Sequence, residues 1–161
     1  MPLRTKILDA LERDARISHS DIAVMIDEEE LTVAKEVEAM EEEGVILAYK
    51  TIVNPERTAD KVTCLIEVSV QPERSFGFDK IAERIYKFPE VSTVFLVSGR
   101  YDLLVLIEAD GMRHIADFIS NKLSTLPNVR STSSHFLLKK YKELGVVLVE
   151  NNEQERIPVS P

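Results

Sequence analysis

The hydrophobic period of this 161-residue chain changes partway along, and that change decides what it can fold into. Before Gly44, apolar residues recur every three or four positions; beyond Asp60 they alternate in short runs separated by helical stretches. A pattern with the helical period does not settle as a strand, nor the reverse, so two different domains are expected. The reading places a first domain at residues 1–55, a linker at 56–60, a second domain at 61–142 and a C-terminal extension at 143–161.

In the first domain, Leu3, Ile7 and Leu11 share one helix face, and Ala15-Arg16 ends that helix. Ser18 with Asp21 three residues on is a capping arrangement, predicting a short second helix over about residues 21–25. From Glu29, the spacing of Val33, Val37 and Met40 predicts a third helix that stops at Gly44, a natural left-handed cap. Residues 45–53 read as a β segment ended by Asn54-Pro55. Three helices and a β wing make a winged helix-turn-helix.

The second domain reads as a strand at Val62–Val70 and, after Pro72 and Gly77, a helix with Phe78, Ile81, Ala82 and Ile85 inward, ended by Phe88-Pro89. Strands at residues 91–98 and 101–108 follow, joined by Gly99-Arg100 as a tight hairpin. A helix at residues 112–123 carries Ile115, Phe118, Ile119 and Leu123, and a last strand covers residues 129–139. This β-α-β-β-α-β order is the ferredoxin-like arrangement, making the chain α+β. Strand 91–98 carries Val91, Phe95 and Val97 on one set and Val94 and Leu96 on the other, and residues 103–107 are also apolar on both faces. A second subunit is expected to cover the face that the helices leave bare, in preference to Gly145-Val146-Val147-Leu148-Val149 folding back over it.

Charge is distributed unevenly. Residues 1–55 hold six basic and thirteen acidic side chains, whereas residues 56–161 hold fourteen and fifteen. Residues 27–43, which include the third helix, carry nine acidic side chains and one lysine, a balance equal to the whole chain's net charge of -8. No apolar run approaches the length of a membrane span and the first residues do not resemble a signal peptide, so no membrane contact and a cytoplasmic location are expected. Cys64, the single cysteine, lies in an apolar alternating stretch and reads as an inert buried thiol. His19, His114 and His135 are far apart, and neither metal-ligand spacing nor a glycine-rich phosphate loop is present. No enzymatic activity, metal or cofactor is expected.

Three local elements carry a family resemblance: Ile7-Leu8 through Asp14-Ala15-Arg16-Ile17-Ser18; Glu41-Glu42-Glu43-Gly44-Val45-Ile46 with Asn54-Pro55 after it; and Ser98-Gly99-Arg100-Tyr101-Asp102. In this order, over residues 3–142, the chain resembles the leucine-responsive and asparagine-regulator (Lrp/AsnC, feast/famine) family of transcription regulators. The resemblance implies a DNA-binding regulator that pairs sheet to sheet into homodimers, assembles further into rings, and binds an amino acid or related small molecule between subunits. It implies effector contacts at Gly99, Arg100, Tyr101 and Asp102, with hydroxyls from Thr132 and Ser134. A tight turn offers backbone N–H groups and Arg100 a guanidinium to a carboxylate, and Asp102 a carboxylate to an ammonium. Equally open is a purely structural reading, with Gly99 serving the hairpin and Asp102 capping it.

The resemblance places Glu29, Glu30, Leu31, Thr32, Lys35, Glu36 and Ala39 at the DNA-reading positions of the third helix, and Glu38 lies beside them. Carboxylates repel phosphates, and affinity for DNA comes largely from neutralising them. Arg4, Lys6, Arg16 and Lys50, with Arg13, are the candidate phosphate contacts. Two readings follow: a regulator that binds DNA itself, or a family member with weakened DNA binding that acts as a ligand sensor or mixed-oligomer modulator.

Overall fold

The computed structural model describes residues 1–58, 61–72 and 77–149. The part of the expected C-terminal extension beyond residue 149 lies outside the described residues. The chain divides into two compact units, Met1–Ile52 and one that begins at Val53.

The first unit is built from helices α1 (Leu3–Arg13), α2 (His19–Ile26) and α3 (Glu30–Glu42). Their apolar stripes meet in one core of Ile7, Ala10, Leu11, Ile22, Ala23, Val33, Val37 and Met40. The Ser18 hydroxyl accepts the Asp21 N–H at 3.0 Å, so α2 begins directly after its cap, two residues earlier than the apolar run suggests. Asp27 ends α2 in the left-handed region (φ 59°), a conformation that Asp tolerates better than most residues, and this makes the sharp turn into α3. Gly44 (φ +72°) closes α3: its N–H reaches the Glu41 carbonyl at 3.1 Å and the Val45 N–H reaches the Met40 carbonyl at 2.8 Å, the paired bonds of a Schellman cap.

The β segment expected over residues 45–53 is corrected by the structure. Residues 45–54 run without forming a strand. A strand needs a second strand to pair its N–H and C=O groups, and no such partner exists for this segment among the described residues. Tyr49 anchors it by donating its hydroxyl to Glu41 Oε1 at 2.8 Å, while Leu47 is left 89% exposed.

The second unit contains β1 (Val62–Val70), α4 (Asp79–Tyr86), β2 (Val91–Leu96), β3 (Leu103–Ala109), α5 (Met112–Phe118) and β4 (Val129–Phe136). α5 continues through one π-helical stretch, Ile119–Leu123. The sheet order is β2-β3-β1-β4 and every pairing is antiparallel, the ferredoxin-like topology expected from the sequence. Ile81 and Ile85 of α4 and Ile115 and Phe118 of α5 pack with Leu123 on Cys64, Ile66, Val68, Leu103, Val105 and Ile107 in a single core. Phe88 and Phe118 meet edge to face, with centroids 5.4 Å apart. Cys64 is fully buried there, and burial pushes its thiol pKa up, as expected of an unreactive side chain.

Three further details differ from the sequence reading. The β2–β3 register shifts between Val91 and Thr93, so Val91 and Val94 both pack on the core and Phe95 points away, whereas strict alternation pairs Val91 with Phe95. The hairpin turn is wider than Gly99-Arg100: Leu96 pairs with Leu103, and the Val97 N–H bonds the Asp102 carbonyl at 2.9 Å. The last strand ends at Phe136, and the chain then forms a small separate hairpin of β5 (Lys142–Glu143) and β6 (Val146–Val147). Leu144 and Gly145, both with positive φ, form its two-residue turn.

Replacing Ser18 with Ala leaves the N–H groups of the first α2 turn uncapped and is expected to lower stability by about 1 kcal/mol in a denaturant titration, with Ser18→Asp close to wild type. A second expectation concerns Glu90, whose Oε1 accepts from Lys122 Nζ at 2.5 Å. Lys122 holds the Glu90 carboxyl below the usual carboxylate range. A carboxyl with a folded pKa below its unfolded value stabilises the fold when ionised and loses that contribution as pH falls through the folded pKa. Lys122→Met should therefore cost roughly 0.2–1 kcal/mol at pH 7, a gap that closes as the pH falls through the lowered pKa of Glu90.

Candidate functional site

On the first unit, α3 carries the expected reading positions. Glu30, Leu31, Lys35 and Glu38 are exposed, and Thr32 and Ala39 are half-buried. Glu29 is the N-cap residue and Glu30 lies in the first turn, where the partial positive charge of the helix end favours carboxylates. Glu36 faces another way. Its Oε2 accepts from Arg4 Nε at 2.7 Å, and Glu43 holds both Arg4 terminal nitrogens in a fork at 2.6 and 3.0 Å. Arg4 is thus bound by two carboxylates of the helix it was expected to assist. The Glu43 and Glu36 bonds raise its pKa further above the ordinary arginine value, and Arg4 in turn lowers that of Glu43. Among the described residues Lys6, Arg13, Arg16, Lys35 and Lys50 have no side-chain ion pair, and they are the cations of this unit left for an external anion.

On the second unit, the turn expected to hold an effector joins β2 to β3 and lies at the end of β1. The Asp102 N–H bonds the Val68 carbonyl at 3.1 Å, and Asp102 Oδ2 accepts the Val70 N–H at 2.8 Å. Its carboxylate therefore fastens the end of β1. Tyr101 is half-buried beside it. Gly99 has no left-handed φ, and a Cβ built there meets nothing within 4 Å, so neither the turn nor its packing demands glycine. Arg100, 79% exposed, reaches back over the sheet to Glu67, with Nη2 3.1 and 3.2 Å from its two oxygens.

Directly paired residues share a sheet face, so the register locates the remaining groups. Glu67 pairs with Leu104 on one side and Ser133 on the other, and Leu65 pairs with Leu106 and His135. Phe95 and Thr93 extend these two rows across β2. This is the face away from the helices. It is apolar over β2, β3 and part of β1, and polar where Glu67, Ser133 and His135 meet Arg100. His135 Nε2 lies 3.3 Å from Glu67 Oε1. Thr132 and Ser134 pair with Val68 and Ile66 and so lie on the helix side, in a different place from Arg100. Thr132 is two strands from Leu103, about 10 Å at the usual strand spacing. The structure brings Arg100 together with Glu67 and His135, and does not bring it together with the two hydroxyls. Glu67 could have been suspected as the single charge within β1.

A cleft of about 460 Å³ lined by Lys61, Glu90, Glu108, His114, Asp117 and Lys122 opens at the other end of β3, about 20 Å along the strand from the Gly99 turn. No expected effector residue lines it. Among the described residues no group of three metal-ligating side chains occurs, and no helix is long and apolar enough to cross a membrane.

Comparison with known proteins agrees with this architecture. Residues 63–147 match the Lrp/AsnC ligand binding domain, and residues 2–46 match a winged helix-turn-helix DNA-binding domain. The chain is 42% identical over 159 residues to the Bacillus subtilis HTH-type transcriptional regulator YugG, itself uncharacterized, covering 98% of this chain and 96% of that one. It is 32% identical over 136 residues to the HTH-type transcriptional regulator LrpA of Pyrococcus abyssi, covering 84% and 94%. Two solved structures share the fold. A Neisseria meningitidis transcriptional regulator in complex with L-Met superposes with TM-score 0.71 at 22% identity, over 87% of this chain and 90% of that one. AsnC of E. coli superposes with TM-score 0.68 at 20% identity, over 88% and 93%. These relatives are named as regulators and not as enzymes. A helix-turn-helix unit ahead of a one-sided ferredoxin-like sheet, matched along almost its whole length, makes this chain a member of the Lrp/AsnC family of transcription regulators.

Proposed function

We propose that this regulator works in the cytoplasm as a homo-oligomer, binds DNA through its helix-turn-helix, and senses an amino acid or related metabolite between subunits. The DNA-binding domain ends near residue 55, residues 56–60 link it to a sensing and assembly domain at 61–142, and residues 143–161 form an extension. The observation that carries the sensing reading is the Gly99-Arg100 turn, where a glycine that the fold does not demand stands beside a largely exposed guanidinium. Bare backbone N–H groups and a guanidinium suit a carboxylate. The L-Met bound to the Neisseria relative supports an amino acid as the ligand class. Asp102 fastens the turn to the end of β1 with Tyr101 beside it, while the effector contacts expected of Thr132 and Ser134 fall on the opposite face, away from Arg100.

Assembly is read from the face away from the helices. Leu65, Leu104 and Leu106 are half-buried there and Phe95 is 54% exposed, a continuous apolar surface suited to an identical surface on a second subunit. That pairing closes at the dimer, so the rings the family resemblance implies need a second, different contact between dimers.

A second reading, weakened autonomous DNA binding with a role in mixed oligomers, is favoured by the capture of Arg4 by Glu36 and Glu43.

Thermal unfolding in the presence of each of the twenty amino acids tests the sensing reading. At one hundred times its Kd an effector should add about 2.7 kcal/mol of stability to the wild type, and far less to Arg100→Ala. A flat response of the wild type to all twenty contradicts it. Binding to DNA from the gene's own upstream region tests the role of the acidic helix. Glu36→Gln combined with Glu43→Gln frees Arg4 and should tighten binding, adding roughly one phosphate contact to the dependence on salt concentration. If the wild type binds no DNA alone yet enters operator complexes when mixed with a more basic relative, the second reading holds.

A further inference from the structure

We propose that Glu67 is the resting occupant of the Arg100 guanidinium, and that an effector's carboxylate binds by displacing it, which makes Glu67 the residue that selects amino acids over carboxylates lacking an ammonium. The inference rests on the effector reading of the Gly99-Arg100 turn.

Glu67 lies on the face away from the helices with its side chain only 16% exposed, and both of its oxygens lie within hydrogen-bond distance of Arg100 Nη2. A carboxylate on one guanidinium nitrogen is what an amino acid would itself present. Arg100, being 79% exposed, pairs with Glu67 weakly and reversibly, as exposed ion pairs do. The released carboxylate has a second partner, because His135 Nε2 stands 3.3 Å from its Oε1 and Ser133 is its neighbour across the strands. Held there, Glu67 remains beside the ligand as an anion. A zwitterion brings an ammonium to meet it, whereas a 2-oxo acid brings only a second negative charge, and like charges at close range oppose binding.

The test uses isothermal titration of the full chain with leucine, methionine, alanine and asparagine and with the 2-oxo acid matching each. The wild type should prefer an amino acid over its oxo acid. Glu67→Gln, which keeps the size and removes the charge, frees Arg100 for either ligand but takes the partner from the ammonium and the like charge from beside the oxo acid, so the oxo acid should gain about two- to five-fold relative to the amino acid and the preference narrow. Glu83→Gln, which removes the same charge from α4, should leave the preference unchanged. If the wild type binds an amino acid through Arg100 and Glu67→Gln leaves the preference as it was, the inference is wrong while the sensing reading stands. Absence of binding in both wild type and Glu67→Gln overturns both.

Discussion

Both helices of the second unit pack on the same face of a four-stranded sheet, and much else follows from that one-sided arrangement. It concentrates the core on Cys64, Ile66, Val68, Leu103, Val105 and Ile107, one inward residue at a time along β1 and β3. The alternate positions are then left to the opposite face, where they divide into an apolar area around Leu104 and Leu106 and a polar area around Glu67. Sheets with one face packed and the other bare ordinarily alternate apolar with polar residues; this one does so only toward β4. The apolar area is the one proposed for assembly and the polar area borders the Arg100 turn, so the two proposed activities lie side by side on one surface.

The acidic third helix takes on a different meaning once its side chains are placed. Glu29 and Glu30 sit at the helix N-terminus, where the backbone dipole accommodates them, and Glu36 joins Glu43 in binding Arg4. Of the four carboxylates that set this helix against DNA, Glu38 alone is an exposed mid-helix charge with no ion pair among the described residues. Electrostatic opposition to DNA is therefore smaller at Glu36 than the composition suggests, but the number of cations is smaller as well, since Arg4 is engaged. Lys35, the one basic residue of α3, stays exposed.

Much of the fold was legible in the sequence because its signals are local. Ser18, Gly44, Asn54-Pro55 and Phe88-Pro89 punctuate the chain through caps and turns that depend on a few neighbours, and the strand order followed from the element sequence. The wing was not, because a β-rich segment does not reveal whether a partner strand exists. The site was legible as a turn but not as an arrangement. Arg4 meets Glu43 across 39 residues, and Asp102 meets Val70 across 32. On β4 the polar run of Ser131, Thr132, Ser133 and Ser134 has no hydrophobic alternation to mark its faces, so sequence could not separate Thr132 and Ser134 from the face that Arg100 reaches. The bulge in β2 reversed the face of Phe95 for the same reason: register is a property of two strands, not one.

The sheet face bearing Leu65, Phe95, Leu104 and Leu106 is the proposed interface between copies of this chain. Its most direct test is the mass in solution, by light scattering, of the wild type and of Leu106→Lys, with circular dichroism as a check on folding. The wild type should have a mass that is an even multiple of the 18.2 kDa chain, and the folded variant a lower one. A wild type that runs as an 18.2 kDa monomer at micromolar concentration would contradict it.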